Sequence, residues 1–338
     1  MTELATTYLG LRLRNPLVAS ASPLSYTLEG VRRLAGAGVG AIVMFSLFEE
    51  QLRAEEARWA EIVDAPAESF AEALDYVPEL VKDGSSVTRY LRLLEQAAAA
   101  VDVPVIASLN GVTPEGWRDY ARSMQEAGAA AIELNVYYLP GDPEIRGSEV
   151  EQRHIEIVQR VKDAVTVPVA VKVGPYFSST GEIAVRLDEA GADGLVLFNR
   201  FLQPDVDPEA LAVVPRVTLS DPAEARLPRT WIALLRGRVA CSLAGTTGVE
   251  TADDVAKYLL AGADVVMTAS ALLRHGPEYA TTLIDGLEEW MRRKGFASVG
   301  DVRGLLAVPA GADETAHERA GYVSALDEAN QSSYGPWS

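Results

Sequence analysis

Polar side chains end several apolar runs of this sequence, and their types point to chemistry rather than packing. Lys172, Asn135, Asn199 and Asn110 each follow a run of mostly apolar residues. A lysine at the end of a buried strand is costly to desolvate unless it meets an anion or a developing negative charge. Two interpretations of Lys172 are therefore open: an ion pair with Glu133 on the neighbouring strand, or a cation that stabilises an electron-rich cofactor or substrate.

Small and hydroxyl residues open two helix-like segments in the last third of the chain. Gly245-Thr246-Thr247-Gly248 precedes one segment, and Ala269-Ser270 precedes the other. Small residues let backbone N–H groups approach a phosphate closely, and hydroxyl groups add hydrogen bonds. An ordinary helix-capping turn would show the same residue types. Placed on adjacent strands of a barrel, however, the two segments favour a phosphate site.

One short phrase recurs and divides the chain into units. An Ala-Gly pair follows a helix-like segment and precedes an apolar run at 37–38, 127–128, 190–191 and 261–262. A glycine at that point can end the helix in the left-handed conformation, after which a buried strand begins. Two further runs open with Val-Pro, where proline suits the first residue of a strand. The pattern predicts eight strands, near 17–21, 41–46, 103–108, 130–135, 167–173, 194–198, 238–244 and 264–269.

Strands that alternate with helices predict βαβ units and a parallel sheet, so the fold class is α/β. Eight buried strands favour a closed (β/α)8 TIM barrel over an open doubly wound sheet, and no G-x-G-x-x-G follows the first strand. We predict one barrel domain over residues 1–304 and a C-terminal tail over 305–338, either docked on a neighbour or disordered. In such barrels the active site lies at the carboxyl ends of the strands.

Two predicted insertions leave from that end of the barrel, after strands 2 and 6. They cover residues 47–102 and 199–237, and they are candidate lids or walls of a substrate pocket. An alternative for residues 70–100 is the ordinary barrel helix with an extended approach, capped at Ser85 or Ser86.

Composition excludes several function classes. The 338 residues carry a net charge of −18 and a pI near 4.6, which disfavours nucleic acid and anionic membrane surfaces as partners. With the single cysteine Cys241, the chain cannot form an intramolecular disulfide or a cysteine-cluster metal site. The sequence shows no signal peptide or membrane span, so we expect a cytoplasmic protein. The three histidines, expected to be exposed, lack metal-ligand spacing: His154, His275 and His317.

Several ordered motifs between Leu9 and Gly304 resemble the dihydroorotate dehydrogenase family of FMN-binding barrels. The chain opens as that family does, with Leu-Gly-Leu-Arg-Leu-Arg-Asn-Pro at 9–16 and Ala-Ser-Ala-Ser at 19–22. Glu-Leu-Asn-Val at 133–136 and Val-Ala-Val-Lys at 169–172 resemble its fourth and fifth strands. Thr247–Thr251 stands where the family has its phosphate-binding turn, and the segment from Leu259 to Pro277 resembles its last unit.

The resemblance implies FMN as cofactor and assigns roles to residues of this sequence. The implied cofactor-binding residues are Ser20, Ala21, Ser46, Asn110, Asn135, Lys172, Asn199, Thr247, Gly248, Ala269 and Ser270. Lys172 would also be catalytic, since a fixed cation near the flavin N1–O2 edge stabilises the negative charge of the reduced ring. Asn135 and Asn199 could face the substrate as well.

The chain departs from the family where substrate is recognised. The family's Asn-Leu-Ser-Cys-Pro-Asn loop reads Asn-Val-Tyr-Tyr-Leu-Pro at 135–140, so Tyr138 replaces the base and Pro140 the substrate-binding Asn. Phe45 replaces a lysine, and Arg200 follows Asn199 where the family has Ser. Tyr138 is either the acid/base residue, which requires a cationic neighbour such as Lys172 or Arg200, or a wall of the pocket. Arg200 either binds a substrate carboxylate or forms a surface ion pair.

From this resemblance we expect an FMN-dependent oxidoreductase that acts on dihydroorotate or a related dihydropyrimidine, with pyrimidine biosynthesis as the context if dihydroorotate is the substrate. Its partners would be a small-molecule substrate, an unidentified second electron acceptor and a second copy of the chain in a homodimer. Two alternatives are a flavin-binding electron-transfer subunit of a larger redox complex and a flavin-free, phosphate-binding lyase or isomerase barrel.

Overall fold

A closed barrel of parallel strands forms the centre of the computed structural model. The structure describes residues 2–50, 85–111, 114–201, 204–215, 217–309, 311, 319 and 321–328, without the side chains of 114–116. The barrel strands pair in chain order and close between the last and the first. They are β3 (Leu17–Ala19), β4 (Ala41–Phe48), β5 (Val105–Gly111), β6 (Ala131–Val136), β7 (Val169–Val173), β8 (Gly194–Leu197), β11 (Ser242–Gly245) and β12 (Val265–Thr268). The predicted (β/α)8 TIM barrel is confirmed, with each predicted strand overlapping one of these.

Helices surround the barrel and alternate with its strands. They are α1 (Leu28–Gly36), α2 (Ser86–Ala100), α3 (Pro114–Glu126), α4 (Gly147–Lys162), α5 (Thr180–Glu189), α6 (Arg226–Leu235), α7 (Ala252–Ala261), α8 (Ser270–His275), α9 (Tyr279–Lys294) and α10 (Val299–Val302). The glycines of the recurring phrase end four of them with positive φ, from +90° at Gly128 to +121° at Gly262. Side chains would be strained there, which explains the repeated Ala-Gly pair. Within the described residues, no helix is long and apolar enough to cross a membrane.

An N-terminal hairpin closes the end of the barrel from which the chain enters β3. Its strands β1 (Thr6–Tyr8) and β2 (Leu11–Leu13) pair antiparallel. Tyr8 and Leu9 are buried in the same cluster as the inward-facing side chains of the barrel strands, such as Val43 and Val196. The opposite end, where the strands terminate, is therefore the one available for a ligand.

The predicted insertion after the second barrel strand is described only in part. Residues 51–84, which would include a lid, lie outside the described residues. Beyond them α2 begins at Ser86, and the side chain of its N-cap Ser85 accepts a hydrogen bond from Thr88 N–H. For residues 85–100 the barrel-helix alternative is therefore correct.

The predicted insertion after the sixth barrel strand contains a small antiparallel hairpin and the next barrel helix. The hairpin joins β9 (Asp205–Asp207) and β10 (Ala212–Val214), and a 3₁₀ turn over Pro222–Ala225 leads into α6. The end of the C-terminal tail, residues 329–338, lies outside the described residues, so its docking stays a prediction.

Candidate functional site

Two successive layers of inward-facing residues fill the barrel near the carboxyl ends of its strands. In the upper layer, Asn110, Asn135 and Lys172 are neighbours in register on β5, β6 and β7. In the layer below, Ser108, Glu133 and Ala170 are paired in the same way. Side chains two residues apart on a strand point to the same face. The predicted polar residues on these strands therefore meet inside one end of the barrel.

Asn135 and Asn199 form a direct link across the top of the barrel. The Asn199 side-chain amide donates a hydrogen bond to Asn135 Oδ1 over 2.7 Å. Asn135 is buried, and Asn199 follows β8 at the edge of the cleft described below. Each amide retains hydrogen-bonding groups that are not used in this link, which suits recognition of a ring carrying both donors and acceptors.

Lys172 and Glu133 form the ion pair that the sequence raised as one interpretation. Lys172 Nζ lies 3.6 Å from Glu133 Oε1, and both side chains are largely buried. Lys172 also lines the cleft, so the pair does not exclude a cofactor role for the lysine. The structure thus shows the ion pair, and the cofactor role of Lys172 stays a prediction.

A cleft at the carboxyl ends of β7, β8, β11, β12 and β3 brings most predicted site residues together. Among the described residues its volume is about 140 Å³, below the range of about 300–1,000 Å³ typical of ligand sites. The predicted residues that line it are Ser20, Ala21, Lys172, Asn199, Arg200, Thr247, Gly248, Ala269 and Ser270. Residues separated by up to 250 positions in the chain therefore share one site.

The proposed phosphate-binding segments lie next to each other on β11 and β12. Thr247 and Gly248 both have positive φ, 81° and 68°, so the loop after β11 turns sharply at the cleft. A Cβ on Gly248 would lie 2.5 Å from the backbone oxygen of Asp221, so only glycine fits this turn. The loop thereby brings backbone N–H groups and hydroxyls close together, as a phosphate requires.

Ser220 belongs to this site, although it was not predicted. Its hydroxyl lies 2.9 Å from Ser270 Oγ and accepts a hydrogen bond from Gly248 N–H over 3.1 Å. It comes from the insertion after β8, immediately before the N-cap Asp221 and Pro222 of the 3₁₀ turn. The Ser-Asp-Pro sequence is a recognisable helix start, but nothing local indicates that it faces β11 and β12.

Three predicted cofactor residues do not line this cleft: Asn135, which reaches it only through its hydrogen bond with Asn199, and Ser46 and Asn110. Ser46 lies on β4, and its hydroxyl is 2.8 Å from that of Ser108. Asn110 is buried at the end of β5, in register with Asn135, and borders a separate small pocket with Trp117. Both lie on the side of the barrel that continues into residues 51–84, so their cofactor role stays a prediction.

Tyr138 lies against a cation that differs from those predicted. The Arg153 guanidinium carbon, on α4, is 4.3 Å from the centroid of the Tyr138 ring. A cation over the ring face makes a cation–π contact and does not hydrogen-bond the phenol oxygen. Within the described part of the chain, neither residue lines the cleft beside Lys172. This arrangement does not place Tyr138 at the cleft in either role, so both interpretations of Tyr138 stay predictions.

Arg200 lines the cleft, but its guanidinium is already bound. Its Nε and Nη2 donate to the two carboxylate oxygens of Glu224 over 2.8 and 3.2 Å, and Nη1 donates to the Thr218 carbonyl over 2.6 Å. The structure therefore shows the ion-pair alternative. Binding of a substrate carboxylate by Arg200 would require Glu224 to be displaced.

Two groups of packed aromatic rings contain residues that follow or end the barrel strands, and none of their members lines the cleft. Phe201 stacks on Tyr176 at 4.9 Å and meets the edge of Tyr137 at 5.1 Å, so three strand-end loops contribute to one aromatic cluster. Phe45 packs between Tyr26 and Tyr90 at 4.5 and 5.0 Å.

The expectation of exposed histidines is wrong for His154. This residue is buried on α4, with Nδ1 2.8 Å from the Val150 carbonyl and its ring 5.2 Å from Phe177. Burial lowers the pKa of His154. His317 lies outside the described residues. No group of three or more potential metal ligands occurs in the described ranges.

Comparisons with known proteins point to one family. The family model for dihydroorotate dehydrogenase matches residues 3–291. The catalytic subunit of dihydroorotate dehydrogenase B (NAD(+)) from Methanothermobacter thermautotrophicus is 29% identical over 311 residues, which cover 89% of this chain and 98% of that protein. Its namesake from Halalkalibacterium halodurans is 32% identical over 212 residues, covering 61% and 69% of the two chains.

A relative with another printed activity matches over a similar length. The NAD-dependent dihydropyrimidine dehydrogenase subunit PreA of Escherichia coli K12 is 25% identical over 320 residues, which cover 90% of this chain and 76% of that protein. The named relatives are all dehydrogenases, and the family model spans the whole barrel. We conclude that the chain belongs to the dihydroorotate dehydrogenase family of oxidoreductases.

Proposed function

We propose that this chain is an FMN-dependent oxidoreductase that removes hydrogen from a CH–CH bond of dihydroorotate or a related dihydropyrimidine. The observation that carries the proposal is the cleft that Lys172 and Asn199 line together with the turn at Thr247 and Gly248. The FMN-binding domain would extend over residues 1–304. With dihydroorotate as substrate, the reaction belongs to pyrimidine biosynthesis.

The described residues fit a phosphorylated flavin. The Gly248 turn, Ser220 and Ser270 meet at the cleft, where the two hydroxyls would donate to a phosphate. Lys172 supplies a buried cation and Asn199 an amide in the same cleft. A polar ring with a phosphate tail would use both sets of groups.

When bound, FMN would accept a hydride from substrate and pass the electrons to a second acceptor. Lys172 would hold its ammonium group beside the ring, where negative charge develops. Asn135 and Asn199, already aligned by their mutual hydrogen bond, would orient the ring of the substrate. Small side chains at Ser20 and Ala21 leave room for close approach of the cofactor.

The proton that accompanies hydride transfer needs a separate acceptor. Because Arg153 lies over the face of Tyr138 and neither residue lines the cleft, we propose that Tyr138 does not take the proton and that water does. Arg200 would hold the loop of Thr218 and Glu224 in place, since its donors are engaged there. On this proposal the catalytic residue of the chain is Lys172.

The second electron acceptor could reach the chain through a partner. The three relatives described above are all named as subunits: two are catalytic subunits of dihydroorotate dehydrogenase B (NAD(+)), and the third is the subunit PreA. These names favour, as a second candidate function, a flavin-binding subunit that exchanges electrons within a larger complex. A homodimer is proposed for this chain on the resemblance alone.

An anaerobic absorption spectrum of the purified protein, before and after addition of dihydroorotate, tests the proposal. We expect the visible band of oxidised flavin, and we expect it to bleach with dihydroorotate or, failing that, with dihydrouracil. A flavin band that neither compound bleaches would contradict the proposed substrate class and would favour the second candidate function, an electron-transfer subunit. A protein that binds no FMN would contradict the proposal and favour a flavin-free, phosphate-binding barrel.

A further inference from the structure

Glu133 is a buried carboxylate without hydrogen-bonding partners of its own. Its side chain is 1% exposed, and neither oxygen accepts a hydrogen bond from any residue that the structure describes. The inward-facing neighbours in the layer below, Ile106 and Ala131, are apolar. A carboxylate in such surroundings is costly, because an unpaired charge loses its hydration without compensation.

The negative charge of Glu133 acts on other groups inside the barrel. Burial raises the pKa of the Tyr8 phenol well above 10.0, and the Glu133 carboxylate raises it further. The pKa of Tyr90 is raised by burial and, to a smaller extent, by the same carboxylate. The field of Glu133 therefore extends through a weakly screening interior.

Lys172 is the cation that faces Glu133. Its Nζ lies 3.6 Å from Glu133 Oε1, too far for a strong hydrogen bond but close enough for a strong electrostatic interaction. The two residues occupy adjacent strands and successive layers, with Lys172 in the layer that opens to the cleft. Glu133 thus lies beneath Lys172, on the side opposite to a ligand in the cleft.

We propose that Glu133 is a positioning residue that holds Lys172 at the cleft and sets the net positive charge that the cleft presents to a bound ring. The inference rests on the proposed FMN function. Glu133 itself does not line the cleft, so it acts through Lys172 rather than on the cofactor directly.

The charges of Glu133 and Lys172 determine the direction in which Glu133 shifts the midpoint potential of bound FMN. Two-electron reduction of FMN adds negative charge to the ring, and a nearby cation favours that charge. In the wild-type protein, Glu133 offsets part of the Lys172 charge. Removal of the Glu133 charge alone leaves the lysine uncompensated, which favours the reduced cofactor and raises its midpoint potential.

The midpoint potential of bound FMN in the variant Glu133→Gln is the test. We expect the reduction equilibrium to shift toward reduced FMN by at least about tenfold, equivalent to about 30 mV for a two-electron couple. Lys172→Gln should shift it by a similar amount in the opposite direction. The midpoint potential of the double variant Glu133→Gln/Lys172→Gln should be higher than that of Lys172→Gln. This comparison also tests the effect of the Glu133 charge if Glu133→Gln alone does not fold.

Glu151→Gln is the matched control. Glu151 is a buried carboxylate on α4, near Ser178 and Arg186 and outside the barrel interior, so its loss should leave the potential unchanged. A Glu133→Gln potential equal to wild type, or lower, would overturn the role of Glu133. A double variant with the same midpoint potential as Lys172→Gln would also overturn the role of Glu133.

Urea unfolding of the cofactor-free protein separates this proposal from the proposed function. The single and double variants at Glu133 and Lys172 should show non-additive losses of stability, because each single variant leaves one buried charge unpaired. Additive losses would overturn the pairing. A wild-type protein that binds no FMN would instead overturn the proposed function, and with it the role of Glu133 toward the cofactor.

Discussion

Tyr138 shows how the surroundings of one side chain determine what it can do. It occupies the position of the family's base, yet an unshielded phenol is a weak base at neutral pH. The observed neighbour, Arg153, lies over the ring face. That contact engages the ring face, and Tyr138 does not line the cleft beside Lys172.

At the residue scale we therefore predict that Tyr138→Phe retains turnover. The expected change is less than about threefold, whereas loss of a general base typically costs about 10²–10⁴-fold. The turnover number is measured by steady-state kinetics, with the substrate that bleaches the flavin band. Tyr137→Phe is the control, since Tyr137 lies next to Tyr138 in the loop after β6 and its ring packs on Phe201. A loss of a hundredfold or more in Tyr138→Phe alone, with an altered pH profile, would restore Tyr138 as the acid/base residue.

On the proposed function, cofactor binding would depend most on the loop between β11 and α7. Gly248 adopts a φ of +68° and packs against the segment from Asp221 to Ala225. The turn, the 3₁₀ helix and α8 consequently share one junction, where Ser220 and Ser270 meet. A change in the turn therefore affects this junction as a whole.

At the element scale we predict that Gly248→Ala weakens FMN binding. A Cβ would lie 2.5 Å from Asp221 O and 2.8 Å from Ala225 N, so the loop must move and its hydrogen bonds to phosphate are lost. The dissociation constant should rise at least about tenfold, since a hydrogen bond to a charged group contributes about 1.5–3 kcal/mol. Quenching of flavin fluorescence on titration measures it.

Gly10→Ala is the control for backbone strain. Gly10 has a φ of +72° and no atom within 4 Å of a built Cβ, and it lies in the hairpin at the other end of the barrel. The Gly10→Ala variant should lose about 1–2 kcal/mol of folding stability, because alanine is strained in the left-handed conformation, and it should keep its FMN affinity. Equal losses of FMN affinity in both variants would contradict a specific role for the turn at Gly248.

For the whole molecule, a bound cofactor would link strands that are distant in the sequence. The cleft joins β3, β7, β8, β11 and β12, which together close the barrel. A ligand that contacts all of them binds only the folded state, so it raises the free energy of unfolding by mass action.

At this scale we predict that FMN stabilises the apoprotein more than riboflavin does. With free FMN at about 100 times its dissociation constant, the free energy of unfolding should rise by about 2.7 kcal/mol. Riboflavin at the same concentration should raise it less, because it lacks the phosphate that the Gly248 turn would bind. Urea unfolding with each compound measures both values. Equal stabilisation would show that the loops after β11 and β12 do not bind phosphate.

The sequence by itself determined the barrel and the positions of its polar strand ends. Local conformation determines where helices end, at glycines such as Gly128 and Gly262, and where strands begin, at prolines before runs of buried residues. These signals can therefore be read from residues that are close together in the sequence. With eight such units, parallel pairing places Lys172 and Asn135 at the same end. That much follows without knowledge of any long-range contact.

Only the tertiary structure decided which groups these side chains meet. Arg200 pairs with Glu224, Tyr138 lies under Arg153, His154 is buried, and Ser220 joins the loops after β11 and β12. Each outcome depends on how loops and helices pack above and around the barrel, between residues that no short-range pattern relates. The physical reason is that backbone preference is local, whereas the partner of a polar side chain depends on burial and on the packing of distant segments.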